Sequence, residues 1–201
     1  MIETVAPDVK IISSKFLKGT QGDAIDAVAA IDYAIENGAE IINCSWCFTE
    51  DEPEMLRLMA ANENVLFVCA AGNSHLDLDD NKIYPSSYDL DNVISVMAID
   101  NRGLIYEMSG YGLGVDIAAP GKDIWVELPE GDTTYVSGTS IAASFVTGAA
   151  ALLKACDPSL TASDLREILM DTSTKSENLQ GLCSAGGYLN VYDAVKLCLN
   201  K

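Results

Sequence analysis

Apolar residues recur along the chain in two alternating rhythms. Residues 22–38, GDAIDAVAAIDYAIENG, carry apolar side chains at helical spacing between an acidic first turn and a Gly stop, which predicts an amphipathic helix. Residues 52–64, EPEMLRLMAANEN, repeat the pattern. Around them lie short apolar runs: VKIISSKFL (9–17), AEIINCSW (39–46), VLFVCAAGN (65–73), NVISVMAID (92–100) and GVDIAAPG (114–121). These read as strands, the later ones suited to a sheet covered on both faces. The stretch SIAASFVTGAAALLKAC (140–156) is apolar nearly all round and predicts a buried helix. Thr161 stands three residues before Asp164, the acidic relative of a capping box, and opens a further helix; residues 190–199 close the chain as a short amphipathic one.

Strand–helix–strand order with short connections predicts an α/β fold around a mostly parallel sheet. No linker or repeat interrupts it, so residues 1–201 are expected to form a single domain. Ligand sites in such sheets lie beyond the carboxyl ends of strands, where CSWC (44–47) and AAGN (70–73) fall.

Composition narrows the function. The chain has 201 residues, 49% hydrophobic and 7% aromatic, enough for one substantial core of helices packed on a sheet. Its net charge of -18, from 12 basic and 30 acidic residues, argues against nucleic-acid binding and against docking to anionic membranes. What remains is a weak bias toward cationic ligands or peptides. Six cysteines, Cys44, Cys47, Cys69, Cys156, Cys183 and Cys198, lie mostly in apolar runs. Cys44 and Cys47 form a C-x-x-C with no second pair at metal-ligand spacing, so buried free thiols are the reading set against a zinc or redox site. No signal peptide opens the chain and no apolar run is long enough to span a bilayer without polar interruption. A reducing, cytoplasm-like compartment is the expectation.

Three segments carry candidate chemistry. In SGTSIAAS (137–144), Ser140 stands at a helix start, where backbone N–H groups and the helix dipole favour developing negative charge. Its plainer reading is a Ser/Thr cap. In VCAAGNS (68–74), Asn73 follows a small-residue strand end and offers an amide donor, or is simply a turn residue. INCSWC (42–47) is a strand that could lie open beside a peptide, or plain sheet core.

Taken in this order, the segments resemble the subtilisin-like serine proteases. GTSIAAS is similar to that family's G-T-S-M-A-A-P nucleophile motif, AAGN to its oxyanion segment, and INCSWC to its I-N-M-S-x-G substrate-lining strand. VAPDVKIISSKFL, YPSSYDLDNVISVMAID and SGYGLGVDIAAPGKDIW also resemble family segments. The resemblance implies a three-layer α/β/α fold with Ser140 as nucleophile and Asn73 as oxyanion donor. Ser45, Trp46 and Cys47 would form one wall of the primary specificity pocket, and Ala70, Ala71 and Gly72 the other. It implies a peptide or protein substrate, and calcium as a cofactor of many members. The acidic stretches TEDEPE (49–54) and DLDD (77–80) are candidates for calcium, against solvated acidic loops.

The departures matter as much. The family's D-[ST]-G aspartate turn and H-G-T-H-V-A-G histidine helix occur nowhere in these residues, and the sole histidine, His75, lies in the pocket-rim loop. An unassisted hydroxyl is a poor nucleophile, so the chain alone is expected to be nearly inert as a protease. The alternative is a pseudoprotease acting as a peptide-binding or scaffold module. Ser144 stands at the family's proline and Cys47 at its glycine. The fold lacks the family's first strands, and 9–17 is expected to pair directly with 39–46 unless a partner supplies the missing portion. The exposed apolar surface left behind also favours self-association.

Overall fold

The computed structural model describes residues 1–19, 21–128 and 131–200. After a single helical turn α1 (Ile2–Val5), helix α2 (Ala24–Glu36) leads to β1 (Ile41–Cys44), α3 (Pro53–Ala61), β2 (Leu66–Ala70), β3 (Val93–Ile99) and β4 (Ile117–Pro120). A hairpin, β5 (Ile124–Glu127) with β6 (Thr133–Val136), precedes α4 (Thr139–Cys156) and α5 (Ala162–Asp171). Short strands β7 (Thr174–Lys175) and β8 (Gly187–Tyr188) and helix α6 (Val191–Leu199) complete the chain.

The main sheet has the order β1-β2-β3-β4-β8-β7, parallel from β1 to β8, with β7 antiparallel. Register sets Cys44 opposite Cys69, Phe67 opposite Val93 and Val96 opposite Ile117. Because side chains alternate along a strand, Leu66, Val68 and Ala70 point to one face and join Ile94, Val96 and Ala98 against α4, α5 and α6. Phe67 and Cys69 point the other way, against Ala27 and Ile31 of α2 and Met55 and Met59 of α3. The result is a three-layer α/β/α fold. The strands are apolar on both faces because both faces are covered.

Helix α4 is the central helix, with Ala142, Ala143, Val146, Ala149, Ala150 and Leu153 buried against the sheet. By length and composition it could cross a membrane, a property the sequence reading did not assign it, but half of that window is buried inside the protein. The helix begins sharply. Its N-cap is Gly138, at a φ of 154° that L side chains rarely adopt, and the cap residue itself has no side chain to satisfy the first turn. Helix α5 carries the expected box, with Thr161 Oγ1 accepting Asp164 N–H and Asp164 accepting Thr161 N–H.

Two expectations fail. Residues 9–17 form no strand: Ile11 and Ile12 are 55% and 38% exposed, and β1 pairs only with β2. Direct pairing of 9–17 with 39–46 therefore does not occur. A cavity of about 1030 Å³ separates them, bounded by residues 8–14, the open edge of β1, Ala27 and Ile31 of α2, and Thr147 and Ala151 of α4. The hairpin β5–β6, with Trp125 and Tyr135 paired across its exposed face, was not anticipated.

Candidate active site

Ser140 is the second residue of α4, not its cap, so the capping reading of its hydroxyl falls away. The first turn of a helix leaves N–H groups without intrahelical acceptors. Thr139 N–H is taken up from outside: Asn73 Oδ1 accepts it at 2.9 Å and lies 3.2 Å from Thr139 Oγ1. An N–H can only donate, so the amide atom facing Thr139 must be oxygen. The Asn73 NH2 lies beside the N-cap, 3.4 Å from where a Cβ on Gly138 would stand, and the Ser140 N–H has no acceptor among the described residues. Two donors at a helix N-terminus, beside a half-buried serine hydroxyl, form an arrangement suited to an oxyanion.

The serine is fixed from behind. Its carbonyl accepts from Ser45 Oγ at 3.0 Å and from Ser144 Oγ at 2.9 Å. Ser45 Oγ in turn accepts from Asn43 Nδ2 at 2.8 Å, and Asn43 Oδ1 meets Thr147 Oγ1 at 2.9 Å. A polar chain of four side chains thus ties the carboxyl end of β1 to the first three turns of α4. Ser144 takes part by back-bonding to the residue four before it, which the family's proline at that place could not do.

The two predicted pocket walls are set as follows. Ser45 faces α4, Cys47 faces Gly72, and Trp46 turns to the opposite side, packing edge-on against Phe16 at 5.3 Å and tilted against Phe48 at 5.4 Å. Trp46 therefore lines the cavity beside β1. On the other wall, Ala71 N–H donates to Val96 O, and Gly72 O accepts Gly110 N–H at 2.9 Å. Gly110 has no alternative there, since a Cβ would lie 1.9 Å from Ala71 O. Sequence reading missed Gly110 and also Ile83, whose Cδ1 reaches the Gly72 backbone. Only the SGYG segment (109–112) hinted at a close approach.

No group able to remove the Ser140 proton is hydrogen-bonded to it among the described residues. His75, at φ 53°, donates its backbone N–H to Met108 O and rests its ring on Tyr111 at 5.3 Å. Cys47 is exposed at the cleft, and the burial its neighbours impose pushes its thiol pKa up, so it stays protonated at neutral pH. In DLDD (77–80) the Asp77 and Asp79 carboxylates are engaged in hydrogen bonds. Asp79 spends its carboxylate on the N–H groups of Leu113 and Gly114, Asp77 accepts Asp79 N–H, and no three acidic, His or Cys side chains converge among the described residues. Cys44 and Cys69 are buried side by side, and burial followed by its Cys44 neighbour holds the Cys69 thiol well above its ordinary range.

The fold and site define an α/β/α protein with a mostly parallel sheet and with Ser140 and Asn73 at the amino end of its central buried helix. The sequence model of the subtilase family matches residues 1–188, and the chain belongs to that family. It is 33% identical over 174 residues to Subtilisin DY of Bacillus licheniformis, which covers 85% of this chain and 63% of that protein. It is also 33% identical over 198 residues to the thermophilic serine proteinase of Bacillus sp. (strain AK1), covering 96% of this chain and 47% of that protein. The chain thus spans less than two thirds of these relatives. Among solved structures it is similar to the prenylagaramide maturation protease PagA, at a TM-score of 0.79 and 28% identity over 92% of this chain and 70% of the other. It is similar too to the self-cleaved protease domain of PatA, at 0.74 and 31%, covering 88% and 68%.

Proposed function

We propose that this chain carries the nucleophile and oxyanion half of a peptide-hydrolysing site. In this reading Ser140 attacks the scissile carbonyl, while Asn73 Nδ2 and the Ser140 N–H receive the oxyanion. The observation that carries the reading is the Asn73–Thr139 contact, which holds the Asn73 amide at the amino end of α4. The base and its orienting carboxylate come from outside these residues. A subtilisin that loses its histidine loses ~10⁶ in turnover, a magnitude measured on that enzyme and applied here by analogy. The lone chain is accordingly nearly inert. The open edge of β1 and the cavity beside it are the surface offered to whatever chain brings those groups, or to a second copy.

Purified chain is expected to cleave peptide no faster than the ~10³–10⁴-fold advantage over water that such a site keeps without its base, about 10⁶ below a complete one. Mixing it with a fragment that bears the family's D-[ST]-G and H-G-T-H motifs should yield cleavage that Ser140→Ala abolishes. Cleavage by the lone chain that Ser140→Ala removes would overturn the requirement for an outside base. A mixture that stays silent, yet binds peptide in the cleft, favours the pseudoprotease reading, which draws its support from the isolated Ser140 hydroxyl.

A further inference from the structure

The β5–β6 hairpin stands apart from the main sheet and sorts its side chains between two faces. Ile124 and Val126 of β5 and Thr134 and Val136 of β6 are half-buried, while Trp125, Glu127, Thr133 and Tyr135 are exposed. Register sets Trp125 opposite Tyr135 and Glu127 opposite Thr133, so the exposed face carries an aromatic pair with a carboxylate beside it. Trp125 and Tyr135 are 57% and 64% exposed, with ring centroids 4.9 Å apart and planes inclined at 66°. A threonine or valine pair would serve a solvent-facing hairpin without leaving two large rings in water. The edge-on contact joins the rings to each other and leaves ring faces open to solvent.

The charge around the pair has one sign. Residues 123–138 contain Asp123, Glu127, Glu130 and Asp132 and no lysine or arginine. The cation next along the chain, Lys122, is drawn onto the Tyr106 ring, 5.7 Å from its centroid, and pairs with Glu107. Glu127 forms no ion pair among the described residues. An aromatic face attracts a cation through its quadrupole, and a carboxylate beside it adds a charged acceptor. A planar, weakly hydrated guanidinium can meet both at once, which a compact ammonium does less well.

We propose that this face is a docking surface for an arginine-bearing segment of a peptide or protein, outside the cleft that holds Ser140. The guanidinium lies on the ring faces of Trp125 and Tyr135, and Glu127 accepts its N–H groups. The hairpin is also tied to the serine's helix: Asp123 N–H donates to Ser137 Oγ at 2.9 Å, and Gly138 N–H to Gly121 O at 2.7 Å. A segment held on the hairpin is therefore anchored next to the amino end of α4, where the remainder of the same polypeptide can reach the cleft. Exposed cation–π and ion-pair contacts are each worth only about a few-fold in affinity, so the surface recruits its partner weakly.

The chain holds two tryptophans, which makes the indole N–H resonances a direct readout. The full chain, isotopically labelled at tryptophan, is titrated at about 150 mM salt, which screens its net negative charge, with end-capped alanine peptides carrying two arginines or two lysines. The arginine peptide should shift the Trp125 resonance, assigned by its loss in Trp125→Leu, and leave that of Trp46 in place. It should bind at least about threefold more tightly than the lysine peptide. Trp125→Leu should weaken it about fivefold and Glu127→Gln about threefold, both at exposed positions where folding is not at stake. Equal affinity of the two peptides, unchanged in Trp125→Leu, would reduce the attraction to bulk negative charge and overturn the proposal. So would an absence of binding, or a shift confined to Trp46, which would place the peptide in the cavity beside β1. No catalysis enters the measurement, so its outcome stands apart from the hydrolytic reading.

Discussion

The Tyr88 hydroxyl makes both of its hydrogen bonds to one residue, meeting Glu52 N–H at 3.2 Å and donating to Glu52 O at 3.0 Å. Burial pushes its pKa up to about 12, helped by the nearby Asp51 and Tyr84 and opposed by the Glu52 carbonyl. An ordinary phenol titrates near 10. The folded state thus holds the proton more tightly than the unfolded one, so the stability this group lends is complete below about pH 10 and drains away as pH rises toward 12. Absorbance at 295 nm should show Tyr88 ionising last, and Tyr88→Phe should delete that late component. Deletion of one titrating near pH 10 instead would refute the shift. At this scale some of the site was legible. Ser140 and Asn73 stand out in the sequence because short polar residues beside Gly and Ala mark a tight approach. Whether the serine caps its helix was not legible, since that depends on the φ of Gly138. Ile83 was invisible because its place at the pocket depends on a bridge between segments 36 residues apart, Phe48 and Tyr84.

Among the elements, α1 meets α4 at Gly148. A Cβ on Gly148 would lie 2.7 Å from Val5 Cβ and 3.0 Å from Ile2 O. Two effects compete when it is replaced. Alanine is worth about 1 kcal/mol over glycine inside a helix, yet here it displaces backbone that cannot yield locally. Gly148→Ala is therefore expected to keep or raise the melting temperature while expelling α1. Hydrogen exchange over residues 1–8 should quicken, with α4 unchanged; unaltered protection of residues 1–8 would contradict this. The helices α2, α3 and α6 were readable because apolar period, acidic first turns and Gly or Asn stops agreed with the packing they met, α4 because it is apolar nearly all round, and α5 from its Thr161–Asp164 box. Residues 9–17 misled for a physical reason: a strand is a pairing, and VKIISSKFL has the composition without a neighbour. The hairpin β5–β6 was missed for the converse reason. Its alternation is shallow, with Trp125 and Tyr135 left in solvent and paired only to each other at 4.9 Å.

For the molecule as a whole, the sheet order, the central helix and the two donors at its start survive in a chain that spans less than two thirds of its curated relatives. The Asn43–Ser45–Ser140–Thr147 network explains how Ser140 keeps its setting, because it is built from β1, the residue just after it and α4. Fold class and family could be read because the motifs sit at strand ends and helix starts, where few residue types fit. The open cavity beside β1 could not, since it reflects which surfaces find no cover. The Asn73–Thr139 contact sets stability against chemistry at a single atom. Asn73→Asp would keep the oxygen that Thr139 N–H needs and exchange the NH2 for a second oxygen, an anion welcome at the amino end of α4. Such a variant should melt higher than its parent, yet in the complemented mixture cleave about 10²–10³-fold more slowly, the usual toll of one lost oxyanion donor. A single deamidation would then leave a sturdier molecule with its chemistry silenced, an ageing lesion that a thermal melt would score as an improvement.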